Sequence, residues 1–166
     1  MTQSKPMAFL VATRFNLLTL MVCLVAGFGL NHATAHTGAT GIVKQRMDLM
    51  DQISKDMKHL KAMIRGLKSY DPLKVRQISL ANNQAAEKIP DQFPEGSLQH
   101  PTEARPEIWQ KWDKFSAYNR ELVLESQRLS EIAETAQLPA IQNQFRELSK
   151  TCLGCHKSFR KKKKKS

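Results

Sequence analysis

Near its C-terminus the chain reads Cys152-Leu153-Gly154-Cys155-His156. On a helix, residues three and four apart share a face, so Cys152, Cys155 and His156 can address one flat object together. Cys-x-x-Cys-His is the attachment pattern of haem c, in which each thiol adds to a vinyl group of one porphyrin and the imidazole stands at the iron as proximal ligand. Three other readings of the cysteine pair compete: a disulfide, a thioredoxin-like redox pair, and half of a zinc site. A redox pair is expected beside a βαβ pattern, which the sequence lacks. A zinc site needs further close-set ligands, whereas His36, His59 and His100 are scattered. The residues therefore point to one covalently attached haem c, with His156 as an axial iron ligand.

The elements that position these groups follow from the spacing of apolar residues. Ile141, Phe145, Leu148, Cys152, Cys155 and Phe159 recur at steps of four, three, four, three and four. That period predicts a helix with one buried stripe, and both cysteines lie on it. A first helix is expected from about Thr40 to Gly66, with Ile42, Met50, Ile53, Met57, Leu60, Ile64 and Leu67 inward and Arg46 on the same row. Gly66 and the turn Ser69-Tyr70-Asp71-Pro72 end it. Asp71 as N-cap and Pro72 at the first helical position then start a second helix, which fades near Ile89-Pro90.

Residues 89 to 105 contain three prolines and a glycine, cannot form one helix, and are read as a long ordered crossover. Pro106 opens a third helix with Trp109, Trp112, Phe115, Asn119, Leu122 and Ser126 inward, continuing through Ile132 or Ala133 to Ala136. Trp109 and Trp112 are taken as packing aromatics, and Pro139 restarts the chain after a short turn. No useful alternating strand pattern occurs. The expected fold class is all-α, an antiparallel four-helix bundle carrying the haem-attachment motif at its C-terminal end.

Three segments are expected. The run Leu17 to Leu30 is uncharged and apolar but for Thr19, preceded by Lys5 and Arg14 and followed by Ala33-Thr34-Ala35. That layout is a secretory signal, read as residues 1 to 35 with cleavage after Ala35. A transmembrane anchor is the rival, but a run of fourteen residues is short for about 30 Å of hydrocarbon. Cys23 follows Val22 where a lipoprotein signal would need a small residue, so it is one apolar residue of the leader. Residues 36 to 160 form the bundle, and 161 to 166 a basic tail.

The chain is 41% hydrophobic, ordinary for a packed core, and its 26 Lys and Arg against 15 Asp and Glu give a net charge of +11. Arg160 to Lys165 are six consecutive basic residues, a run that repels itself and is read either as plain solvated surface or as a tail that steers an acidic redox partner or holds anionic lipid. Nucleic acid is set aside, because no nucleic-acid-binding motif accompanies the charge and the chain reads as exported. No catalytic dyad or triad is suggested, so an enzyme is not expected.

The chain resembles the cytochrome c′ and cytochrome c-556 family. The resemblance is carried by Arg46 and Met50, Gly66, Tyr70-Asp71, Phe93-Pro94, Arg105-Pro106-Glu107-Ile108-Trp109, and Cys152 to His156 with Arg160. It implies a periplasmic monohaem protein that exchanges electrons with a partner protein and often forms a homodimer through its first two helices. Two iron states are implied: a low-spin electron carrier in which Met50 closes the sixth position, or a high-spin, five-coordinate iron that binds nitric oxide or carbon monoxide at its distal face. Met50 is suited to ligation as a soft thioether, but equally to plain packing. The resemblance places Arg46 against the haem propionates, the alternative being a guanidinium at the bundle end in water. It implies that Arg160 neighbours the proximal histidine and that Phe93 lines the distal pocket; a surface charge and a simple core residue are the respective alternatives.

Overall fold

Among the described residues five α-helices follow in order: α1 Gly41–Ile64, α2 Pro72–Glu87, α3 Glu107–Gln110, α4 Trp112–Ile132 and α5 Leu138–Phe159, with one 3-10 turn at Pro90–Gln92. The computed structural model describes residues 38 to 162, all within the unit His36–Ser166. The expected signal segment and the end of the basic tail lie outside the described residues. Helices α1, α2, α4 and α5 form the four-helix bundle: α2 packs chiefly on α4, α4 on α5, and α1 touches both α2 and α5.

The core lies on the stripes that the sequence period marks. Leu60, Val75, Leu129, Ile141 and Leu148 are completely buried, and removing such a side chain from water contributes about 1.5–3 kcal/mol each. Helix α1 stops because Gly66 takes a left-handed φ of 72°, which glycine adopts at no steric cost. The amides of Gly66 and Leu67 then turn back to the carbonyls of Met63 and Ala62 at 3.1 and 2.8 Å. Leu67, expected inward, falls beyond that stop and is exposed. Helix α2 starts as expected, with the Asp71 carboxylate accepting from the Lys74 amide at 3.0 Å and Pro72 in its first turn. The Tyr70 hydroxyl donates to the Ala133 carbonyl at 2.9 Å, fastening this turn to the one between α4 and α5.

The expected third helix is two helices. Lys111 has φ −131° and ψ 46°, outside the helical region, and this separates α3 from α4. The break resets the phase of the buried face, so Ile108 rather than Trp109 is buried on α3, and Trp112 is 37% exposed. Phe115, Leu122, Ser126 and Leu129 continue the inward row on α4, and Ala133, its C-cap, extends it. Trp109 does more than pack: its indole N–H donates to the Phe93 carbonyl at 2.9 Å. The far end of the crossover is pinned by the lone β-bridge among the described residues, between Ala104 and Arg160. The Arg105 amide donates to Phe159 O at 3.0 Å and the Lys161 amide to Glu103 O at 2.8 Å.

Candidate functional site

Cys152 and Cys155 lie on the side of α5 that faces the bundle, partly buried and packed against the same apolar cluster as Met50, Phe145 and Tyr118. Both are free thiols. Burial pushes Cys152 up, and it pushes Cys155 up to about 11, with Cys152 adding to the rise. Both thiols are therefore protonated at neutral pH, the reverse of a thioredoxin-like pair, whose attacking thiol has a lowered pKa. His156 stands at the surface next to them. Local desolvation, then the Arg160 charge, hold its pKa below the ordinary value, with Glu103 opposing. A neutral imidazole keeps a lone pair for a metal. No group of three or more His, Cys, Asp and Glu side chains suited to a metal ion occurs among the described residues, which leaves a closed zinc site without ligands. Two core-facing neutral thiols and an adjoining neutral imidazole fit the donor set of haem c.

Arg46 does not carry its guanidinium into water. It is 4% exposed, and its guanidinium holds the crossover. Its Nε donates to Gln92 O at 3.0 Å, one terminal nitrogen to Thr102 Oγ1 at 3.1 Å, and the other to Ser97 O and Oγ at 3.0 and 2.9 Å. Its carbon centre lies 4.2 Å from the Phe93 ring centroid, a cation–π contact. Burial lowers its pKa, yet a guanidinium stays protonated in proteins. The buried charge thus rests on carbonyl and hydroxyl dipoles and an aromatic face.

Phe93 is buried at the start of an aromatic chain that reaches α5 and returns to α4. Its ring meets Phe115 edge-on at 4.9 Å, Phe115 meets Phe159 at 5.6 Å, and Phe159 meets Tyr118 at 6.4 Å. The crossover, the start of α4 and the last turn of α5 are thereby one packed unit. Tyr118 closes tightly on the motif itself. A Cβ placed on Gly154 would lie 2.7 Å from Tyr118 Cε1, closer than carbon atoms approach, so the second spacer residue is small because Tyr118 crosses it. Arg160 donates from Nε to Glu103 Oε2 at 2.6 Å and lies close enough to act on His156.

The structure thus brings Arg46 to Phe93, joins Phe93 through Phe115 to the last turn of α5, and packs Met50, Cys152 and Cys155 against the hydrophobic core that contains Phe93. Sequence reading missed Ser97, Thr102 and Glu103, which carry no pattern in a proline-broken segment. It also missed Tyr118 and Glu125. Glu125 is 4% exposed on the inner side of α4, where Gln144 donates to its carboxylate at 2.5 Å and Arg128 pairs with it. An acid between Leu122 and Leu129 was the available signal.

Residues 41–160 match the family described as Cytochrome C′. Over 125 residues the chain is 35% identical to a cytochrome c-556 from Agrobacterium tumefaciens (strain apple 185), covering 71% of this chain and 93% of that one. A cytochrome c prime from Shewanella frigidimarina superposes with a TM-score of 0.69 at 22% identity, over 73% of this chain and 94% of that one. A ferrous variant of the Alcaligenes xylosoxidans protein with bound nitric oxide gives 0.67 at 21%, over 74% and 94%. At these identities the two solved structures bear on the fold alone.

Proposed function

This chain belongs to the cytochrome c′ family, and from that premise we propose that it is an exported, periplasmic one-electron carrier rather than an enzyme. It is a monohaem c-type cytochrome, and its cofactor is one covalently attached haem c. In this reading Cys152 and Cys155 carry the thioether links and His156 is the axial ligand. The observation that carries it is the pair of neutral, core-facing thiols on α5 beside a neutral imidazole. When bound, the group supplies a one-electron redox centre. The chain's own residues do the rest: the motif fixes it at three atoms, the apolar cluster excludes water, and Arg46 and Phe93 hold the crossover against the bundle.

Met50 is partly buried on α1 in the same cluster as the cysteines, which supports its closing the distal side as ligand or as cover. The second reading is a five-coordinate, high-spin iron that binds nitric oxide or carbon monoxide; a relative solved with bound nitric oxide supports it. In either case the reading includes a periplasmic redox partner and a homodimer through α1 and α2, where Leu73 is exposed.

The test is made on material matured with haem. Mass analysis of the peptide spanning 152 to 156 is expected to show added haem mass, and its absence would end both readings. The reduced spectrum then separates them. A sharp low-spin α-band that ignores carbon monoxide supports the carrier with Met50 bound; a broad high-spin band that shifts with the gas supports the gas binder.

A further inference from the structure

The end of the bundle far from the haem motif carries a surface that neither the cofactor nor the core uses. Two turns meet there, joining α1 to α2 and α4 to α5, held together by the Tyr70 hydroxyl on the Ala133 carbonyl and by Gln142 Nε2 on the Ile64 carbonyl at 3.2 Å. Of the seven large apolar side chains left exposed among the described residues, four stand here: Leu67, Tyr70 and Leu73 beside the first turn and Leu138 beside the second. The other three, Trp112, Leu124 and Leu153, are spread over α4 and α5. Leu67 leaves 76% of its surface exposed, because Gly66 has ended α1 and the chain is reversing. Leu73 is shared with the proposed dimer surface, so Leu67, Tyr70 and Leu138 distinguish this end. Its charge is one-sided too. Lys61, Arg65, Lys68 and Lys74 are exposed and, among the described residues, form no ion pair. The acids nearby are engaged: Glu134 pairs with Arg76, Asp71 accepts from the amide that it caps, and Glu131 accepts from Gln127.

We propose that this end docks on the surface of an anionic phospholipid bilayer, with Leu67, Tyr70 and Leu138 entering the headgroup region and the four cations lying against the phosphates. The proposal goes beyond the carrier reading and takes one premise from it, that the chain is exported and so lies beside a bilayer. Among the described residues no helix is long and apolar enough to cross a membrane, so the contact is interfacial. A second copy meeting this one end to end would set four unpaired cations against four more. A protein partner would bury the leucines in an interface, where lysine is depleted. Leucines and an aromatic ring among Lys and Arg are instead the make-up of a face that lies in the headgroup plane, its apolar groups inward and its cations reaching out to the lipid phosphates. The orientation also serves the site. Leu138 opens α5 and Cys152 follows fourteen residues later, about 21 Å along the axis at 1.5 Å per residue. A bilayer held at this end therefore leaves the haem motif clear of the headgroups.

The test uses the full haem-loaded protein and vesicles of phosphatidylglycerol or of phosphatidylcholine, read by co-sedimentation. The native protein is expected to bind the first and not the second, with binding falling as salt rises. The variant Leu67→Ser/Lys68→Glu/Lys74→Glu should weaken binding about tenfold or more. Leu153→Ser/Lys157→Glu/Lys161→Glu makes the same exchanges beside the haem motif and should weaken it no more than about threefold. An equal or larger loss in this second variant assigns the lipid contact to the basic tail and overturns the proposal. Leu67→Ser/Leu138→Ser leaves the charge alone and should also weaken binding about tenfold; no loss would mean adhesion by charge only, and overturns the seating of the leucines. Hydrogen exchange of the native protein needs no variant. Phosphatidylglycerol vesicles should slow residues 65 to 74 and leave 152 to 162 unchanged, and the reverse pattern overturns the proposal. Native protein that ignores vesicles, but whose dimer Leu67→Ser/Leu138→Ser dissolves, assigns this end to a second copy and overturns it likewise. Fractionation of a bacterial host reads the premise separately. Cytoplasmic protein that binds vesicles sinks the export and leaves the surface standing, whereas periplasmic protein that ignores them sinks the surface alone.

Discussion

Where α1 turns into α2, one short stretch of sequence settles the structure. Gly66 supplies the left-handed residue, Asp71 caps the next helix, Pro72 opens it, and Tyr70 ties the turn to Ala133. At the opposite end, where the haem motif lies, one side chain does comparable work over long distances: Arg46 bonds to residues 46, 51 and 56 positions away. The first end is closed by local rules of turns and caps, to which one long-range bond, from Tyr70 to Ala133, is added. The second is closed by a buried cation that organises a segment with little secondary structure of its own. An end held locally tolerates the loss of one group, because each contributes about 1 kcal/mol. An end held by one desolvated charge does not, because its removal orphans several acceptors at once.

The sharpest way to break this comparison is Arg46→Met, which keeps much of the stem volume and removes the charge. The carbonyls of Gln92 and Ser97 and the hydroxyls of Ser97 and Thr102 lose their shared donor. The expected loss is on the order of 3 to 5 kcal/mol in urea unfolding of the haem protein. Hydrogen exchange should localise it. The amides of Ser97, Leu98 and Thr102 should lose protection in the variant, while those of Gly66 and Leu67 keep theirs. Uniform loss of protection at both ends would show that the crossover is not a separately held unit. Arg46→Lys should recover only part of the stability, since an ammonium cannot place donors on Gln92, Ser97 and Thr102 in one plane.

A smaller effect is expected inside the motif. Helix propensity alone favours Gly154→Ala by about 1 kcal/mol. The added methyl would meet the Tyr118 ring, and overpacking costs about 1–3 kcal/mol. The single variant should therefore be less stable by about 1 kcal/mol, with altered circular dichroism in the Soret band as Tyr118 moves against its neighbours. In a Tyr118→Leu background the same glycine change should become stabilising. If alanine stabilises both backgrounds, the close approach of Tyr118 does not constrain the spacer.

The four helices and both turns at the far end were legible because their signals are local: a period of 3.6, a glycine at a helix end, an Asp-Pro start. The cysteine-histidine motif was legible for the same reason, since its three groups lie within five residues. The break at Lys111 was not, because neither glycine nor proline marks it; the lysine leaves the helical region so that Ile108, rather than Trp109, enters the core. Arg46 was recognised as anomalous on an apolar row. Its acceptors were not, because Ser97 and Thr102 sit in a proline-broken segment where no period tells which side faces in. Tyr118 over Gly154 joins two helices, and a single sequence does not register one helix against another.

The finest test of the comparison is at the cap. Asp71 accepts one hydrogen bond, from the Lys74 amide, and is exposed, so Asp71→Ala should cost about 1 kcal/mol, and Asp71→Asn, which keeps an oxygen at the same place, only a few tenths. Neither variant should alter the haem absorption spectrum or the exchange of Ser97 and Thr102, because nothing at this end bonds to the crossover. Thermal unfolding of the two variants checks the size of the effect, and the spectrum checks its reach. A shifted Soret band in Asp71→Ala would mean that slackening the α1–α2 turn moves α1 along its length and with it Met50 and Arg46. The two ends would then be coupled through that helix, and their different closures would not make them independent.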